Sequence, residues 1–252
     1  MKANGGDDLT RARPVGGPDP RAVQRMFEGI AHRYDFLNHL LSMSVDRRWR
    51  RAAAAKAAEL AGRIAGDPVF LDLCSGTGDL AIDLARIPGA SVIASDFCHP
   101  MLVRAAPKIA ACGLSKAVRI VEADSLALPI PDASVSAVTI AFGLRNLADR
   151  ARGLGEMRRV LKPGGGLVVL EFSRPVLPGF RQAFEFYFHR VLPRLGAWIS
   201  GHGEAYTYLP NSVSRFPAQE DLAREIGRAG FEDVRYRNLC GGVAALHWAR
   251  KG

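Results

Sequence analysis

The stretch "LDLCSGTGDLA", residues 71–81, decides the fold. An apolar, strand-like run passes through Gly76 and Gly78 into a helix opened by Asp79, and small Ala81 completes a G-x-G-x-x-A spacing. A glycine turn between strand and helix is how α/β proteins seat a nucleotide at the edge of a sheet. The pattern alone does not choose the nucleotide, because nicotinamide and flavin proteins use the same device.

The chain on either side extends the reading. Downstream, "ASVIAS", "VRIVEA", "SVSAVTIAF" and "GGLVVLEF" are short apolar runs, most of them separated by helical patterns such as "HPMLVRAAPKIAAC" and "RARGLGEMRRVL". That alternation predicts an α/β fold, a doubly wound and mostly parallel sheet with helices on both faces. The end departs from it: "FEDVRYRNL", the pair Gly241-Gly242 and "VAALHWARK" read as an antiparallel hairpin. Upstream, residues 21–66 have helical spacing in pieces and form an N-terminal helical cap. Residues 174–216 are rich in aromatics and proline, fit neither period well, and read as an inserted lid. Residues 1–20 read as a disordered tail, so residues 21–252 are expected to form one domain.

Charge points to the cofactor. A dinucleotide would bring a pyrophosphate to the glycine turn, where Asp72 ends the strand and Asp79 opens the helix. A carboxylate about 4 Å from another anion costs about 4 kcal/mol at a surface-like dielectric. S-adenosylmethionine has no phosphate and carries an ammonium and a sulfonium, so it suits these positions, unless Asp79 is only a helix cap. Asp96, at the end of the second strand, is placed for the ribose hydroxyls, and Asp124-Ser125, after the third, for the adenine amino group. The reversed last strand also favours a methyltransferase over a nicotinamide enzyme.

Bulk properties exclude little more. The 252 residues are 48% hydrophobic, enough for one sizeable core, and no apolar run approaches the roughly 20 residues of a membrane span. With no leader-like start, a cytoplasmic protein is expected. Four scattered cysteines (Cys74, Cys98, Cys112, Cys240) make no C-x-x-C pair, so no metal is expected. A net charge of +9 permits an anionic partner, yet no basic run is interleaved with aromatics, and nucleic acid is not expected.

The stretch "AFGLRN", 141–146, delivers Arg145 and Asn146 to the exit of the fourth strand. Methylases of amide or base nitrogens tend to carry Asn-Pro-Pro-aromatic there, so a carbon acceptor is favoured. An arginine at that edge stays protonated and can stabilise a phenolate. The competing reading pairs it with Asp149 at i+4, with Asn146 capping the next helix. None of His32, His39, His99, His189, His202 and His247 forms an obvious triad; His202, between glycines in the lid, is the best candidate base. Tyr206, Tyr208 and Ser212 are candidates to line an acceptor ring, and Glu171 to meet a hydroxyl.

Several of these motifs occur together in one family. "YDFLNHLLSMSVDRRW" (34–49), "LDLCSGTGDLA", "FGLRN", "RRVLKPGGGLVVLEFS" (158–173) and "YTYLPNSVSRFP" (206–217) resemble, in order, the ubiquinone/menaquinone biosynthesis C-methyltransferases. The resemblance covers residue 21 to the end. It implies sheet order 3-2-1-4-5-7-6 and puts Thr77, Asp96, Asp124 and Ser125, with Asp72, Gly76 and Gly78, on S-adenosylmethionine. The implied reaction methylates a ring carbon of a polyprenylated naphthoquinol or benzoquinol. For that reaction the residues themselves suggest Arg145 as catalytic, with Asn146, Tyr206 and Tyr208 as candidates against the substrate. Another small-molecule or rRNA methylase is the alternative. The chain departs from the family at Ser44 and Asp46, where Gly and His are common, at Ala141, where some members have Ser, and at Cys74-Ser75, before the shared glycine. Residues 178–201 combine six aromatic side chains with Arg181, Arg190 and Arg194, and read either as a lid helix or as a peripheral contact with the membrane surface, two roles that can coexist.

Overall fold

The computed structural model describes residues 18–30, 45–186, 190 and 203–252. Seven strands form one sheet in the order β3-β2-β1-β4-β5-β7-β6: β1 (Val69–Leu73), β2 (Ser91–Asp96), β3 (Val118–Glu122), β4 (Val135–Ala141), β5 (Leu161–Phe172), β6 (Phe231–Leu239) and β7 (Ala244–Lys251). The first five pair in parallel, and β7 runs antiparallel to both β5 and β6. The expected order and reversed strand are both present. A turn over Cys240–Gly242 joins β6 to β7, where the glycine pair placed it.

Both faces of the sheet are covered, which is why its central strands read as continuous apolar runs. Phe70, Val168 and Leu170 belong to one buried cluster with Trp49, Ala57, Leu84 and Ile109. Their strand neighbours Leu71, Leu73, Leu167 and Val169 belong to the other, with Leu154, Met157, Phe216 and Ile226. Side chains alternate across a strand, so one strand serves both clusters.

The helices supplying those layers are α1 (Pro20–Ile30), α2 (Asp46–Ala61), α3 (Asp79–Ala85), α4 (His99–Ala111), α5 (Arg150–Val160), α6 (Pro178–Phe186), α7 (Gly203–Arg215) and α8 (Gln219–Arg228). Alanines 53, 54, 57 and 61 let α2 pack closely, and it stops at Ala61, short of the expected Gly66, where the bonds tighten from Gly62 N–H to Ala58 O into the turn bonds Arg63 N–H to Leu60 O and Ile64 N–H to Ala61 O. The segment 174–216, which fits no single period, contains α6 and α7. Pro210 and Val213 of α7 are buried, although proline lies inside that helix.

Strand order reverses between β1 and β4. Ligands of open α/β sheets bind outside the carboxyl ends of the strands at such a point. In this protein those ends carry Cys74–Gly78 and Phe142–Asn146.

Candidate active site

The site is built from the ends of four strands. At the end of β1, Asp72 is 1% exposed and accepts hydrogen bonds from Thr139 Oγ1 at 2.7 Å and Ser75 Oγ at 2.8 Å. Burial pushes its carboxyl up to about 7, against an ordinary 3.8. It thus lies beneath the glycine turn and ties it to β4. Gly76 and Gly78 both take positive φ, 57° and 83°, which is what bends the chain into α3. Gly76 N–H donates to Asp96 Oδ2 at 2.8 Å, and Cys98 N–H to Asp96 Oδ1 at 2.9 Å, so Asp96 clamps the turns after β1 and β2 together.

Asp79 does not present the naked negative charge that the sequence suggested. Arg50 Nη2 of α2 stands 3.2 Å and Lys108 Nζ of α4 2.5 Å from its carboxylate. Two cations from distant helices offset one anion, so Asp79 does not oppose a phosphate. Lys108 also donates to Thr77 Oγ1 at 3.3 Å. Asp46, where the family resemblance leads one to expect His, forms an ion pair with Arg50 one turn on. Ser44 lies outside the described residues.

After β4 the chain doubles back. Phe142 has φ 57°, a left-handed conformation uncommon for a side-chain-bearing residue, and a short 3-10 turn follows at Leu144–Asn146. A side chain at Gly143 would overlap Cβ of Cys74 and stand 2.8 Å from its Sγ. Glycine there lets the two strand ends meet.

The turn aims Arg145 at Glu171, at the end of β5. Arg145 Nη1 donates to Glu171 Oε1 at 2.8 Å and to Phe142 O, and the Arg145 N–H reaches Glu171 Oε2 at 3.3 Å. Asp149, the partner in the competing reading, instead caps α5, accepting from the Arg152 N–H at 2.9 Å. Extended Leu147 separates the 3-10 turn from α5, so helical i+4 geometry never develops and Asn146 is not the cap. Asn146 Oδ1 accepts from the Tyr208 hydroxyl of α7 at 2.9 Å. The side chain of Tyr206 falls outside the described set.

Between these ends lies a cleft open to solvent, lined by Cys74, Gly76, Asp96, Phe97, Cys98, Met101, Phe142, Gly143, Asn146 and Leu147. Among the proposed ligands, Gly76, Asp96 and Asn146 line it. Asp72, Thr77 and Ser125 are buried, and Asp124 is exposed with Oδ1 accepting from the Leu126 N–H. Ser125 Oγ lies 3.9 Å from Cys74 Sγ. The sequence does not single out Phe97, Met101 and Leu147, although Phe97 follows Asp96 directly and Met101 lies in the first turn of α4. Among the described residues, the lining holds one carboxylate, several apolar side chains and no lysine or arginine. This suits a neutral nucleoside joined to a sulfonium better than it suits a diphosphate. His99 is exposed and pairs with Glu122, and His247 is buried on β7 with its ring on Gln219 O, so neither lines the cleft. The other four histidines lie outside the described residues. No group of side chains that could hold a metal occurs among the described residues.

A family model described as the ubiE/COQ5 methyltransferase family matches residues 17–251. The chain belongs to the ubiE/COQ5 methyltransferase family. S-adenosylmethionine is the cofactor. Among relatives, the chain is 54% identical to a demethylmenaquinone methyltransferase of Thermus thermophilus, covering 88% of this chain and 98% of that one. It is 50% identical to a demethylmenaquinone methyltransferase of Deinococcus radiodurans, covering 92% and 95%. It is 43% identical to a ubiquinone/menaquinone biosynthesis C-methyltransferase of Geobacter sulfurreducens, covering 91% and 88%. Among solved structures, a [4+2]-cyclase, SpnF, matches with TM-score 0.68 over 94% of this chain and 97% of that one at 19% identity. A SAM-dependent methyltransferase from Aquifex aeolicus matches with TM-score 0.55 at 19% identity, covering 80% and 98%. Those two likenesses speak for the fold alone.

Asp72 gives this ubiE/COQ5 methyltransferase a pH signature. Its carboxyl titrates near 7 when folded and near 3.8 when unfolded, so between those values the native state holds the extra proton. Its contribution to stability therefore falls as pH rises from about 4 to about 7 and is flat above. Asp72→Asn should flatten that slope and raise the melting temperature at pH 8 relative to wild type. Parallel melts from pH 5 to 8 check it; identical slopes would contradict it.

Proposed function

We propose that the protein methylates a ring carbon of demethylmenaquinol, with Arg145 stabilising the ionised ring hydroxyl. The reading rests first on the 54% identity to a protein named demethylmenaquinone methyltransferase, nearly all of whose length is matched. Two relatives at 50% or more carry the menaquinone name alone, which favours the naphthoquinol over the benzoquinol of the sequence expectation.

When bound, S-adenosylmethionine supplies an electrophilic methyl group. The protein has to make the acceptor carbon nucleophilic. Loss of the proton from a ring hydroxyl pushes charge onto the ortho carbon, and loss of the ring C–H proton after methyl transfer restores aromaticity. A phenol ionises poorly at neutral pH, so a fixed cation close to the oxygen lowers the barrier. Arg145 suits that task because a guanidinium is a charged, planar donor. Its side chain is 8% exposed, and its buried Nε has no hydrogen-bond partner. A buried donor without a partner costs about 1–3 kcal/mol, which a ring oxygen would recover. Asp96 is proposed to hold the ribose, and Asp124 and Ser125 the adenine. Asp72, Gly76, Thr77 and Gly78 shape the turn around the donor. Asn146, Tyr208 and Tyr206 close over the acceptor, α1 and α2 act as the cap, and residues 174–216 act as the lid.

The acceptor's prenyl tail resides in a bilayer, and we propose that residues 176–186 meet it. Val176, Leu177, Phe180 and Phe186 are exposed, with Arg174 and Arg181 among them, an arrangement suited to resting at headgroups. No described helix is long and apolar enough to cross a membrane. Vesicles containing phosphatidylglycerol should sediment the protein at low ionic strength and release it as salt rises; indifference to such vesicles would remove this contact.

Incubating the protein with labelled methyl donor and demethylmenaquinol should give menaquinol, identified by mass. Arg145→Ala should cut turnover on the order of 10²-fold, and Arg145→Lys should restore little of it. Near-normal turnover in a folded Arg145→Ala variant would defeat the role given to Arg145.

A further inference from the structure

Glu171 is 1% exposed, and each hydrogen bond it makes serves the backbone or Arg145. Oε1 accepts from Arg145 Nη1 at 2.8 Å and from the Phe172 N–H at 2.9 Å, and Oε2 accepts from the Arg145 N–H at 3.3 Å. The carboxylate thus holds Arg145 at two points, the head and the main chain. Burial raises the Glu171 carboxyl above the usual range, and the Arg145 guanidinium opposes the rise. The guanidinium also lies 5.6 Å from the centre of the Phe172 ring, which packs on Phe142 and Trp49. These contacts fix the plane of the guanidinium and use Nη1, while Nε is left over. Phe142, whose carbonyl also takes Nη1, lines the cleft.

We propose that Glu171 is a positioning residue for methyl transfer: by anchoring Nη1 and the main chain of Arg145, it fixes the guanidinium that stabilises the acceptor's ring oxygen. This rests on the role given to Arg145 above. Glu171 takes no proton from the acceptor, because both of its oxygens are already engaged by N–H donors. It sets the orientation of a charged donor, and a misplacement of about 1 Å can cost on the order of 10²-fold in rate. It also compensates a buried cation that would be costly alone.

A double-mutant cycle on kcat, with calorimetric affinity for S-adenosylmethionine measured alongside, tests this. Glu171→Gln keeps the size and one acceptor oxygen but removes the charge. It should lower kcat on the order of 10- to 100-fold while leaving cofactor affinity within about twofold of wild type. Added to Arg145→Ala, it should cause almost no further loss. Should Glu171→Gln fail to fold, Glu171→Asp, which keeps the charge on a shorter arm, should fold and show the same split. Full kcat in Glu171→Gln alongside a crippled Arg145→Ala would overturn the inference alone. Additive losses would overturn it as well, since Glu171 would then act on its own. Normal turnover in Arg145→Ala would remove the functional reading and this inference together.

Discussion

A guanidinium held out of water needs an anion beside it, and the Arg145–Glu171 pair meets that need across two neighbouring strand ends. Removing either partner would leave the other charged and buried, a loss of several kcal/mol. The pair requires β4 and β5 to be adjacent and to point the same way, which the sheet order provides. It also requires the chain after β4 to fold back at once. The left-handed Phe142 starts that reversal, and Gly143 lets it pass against Cys74. The turn that forms the acceptor side of the site is therefore fitted to the turn that forms the cofactor side.

A second set of charges joins the glycine turn to its surroundings. Asp46, Arg50, Asp79 and Lys108 form a chain of opposite signs from α2 through α3 to α4. Asp46 and Arg50 are largely buried, so their mutual neutralisation is what makes the burial tolerable. Aspartate where the family resemblance leads one to expect histidine is then intelligible: it gives Arg50 a second anion.

Much of this was legible in the sequence, and the rest failed for physical reasons. The glycine turn, the reversed last strand and the exit position of Arg145 are local patterns, and local patterns survive folding. Asp79 was misread because its two cations come from helices distant in the chain, where no spacing rule reaches. Arg145 was given the wrong alternative partner because the i+4 rule assumes an unbroken helix, and Leu147 breaks it. Asp72 was read as facing the donor, yet the register of β1 against β4 sets Thr139 opposite it and turns its carboxylate to internal hydrogen bonds. The helices within 174–216 were hidden by aromatic and proline content. The lining of the cleft among the described residues, one carboxylate with apolar side chains, is a property of the assembled walls that no local pattern shows.

The central claim is that a ring oxygen meets a guanidinium already fixed by a carboxylate. A crystal structure with S-adenosylhomocysteine and a short-chain demethylmenaquinol tests it most directly. The expected result is one ring oxygen within hydrogen-bond distance of the Arg145 guanidinium, with the link from Nη1 to Glu171 unbroken. A ring seated with both oxygens away from Arg145, or an Arg145 that swings off Glu171 to reach it, would contradict the claim.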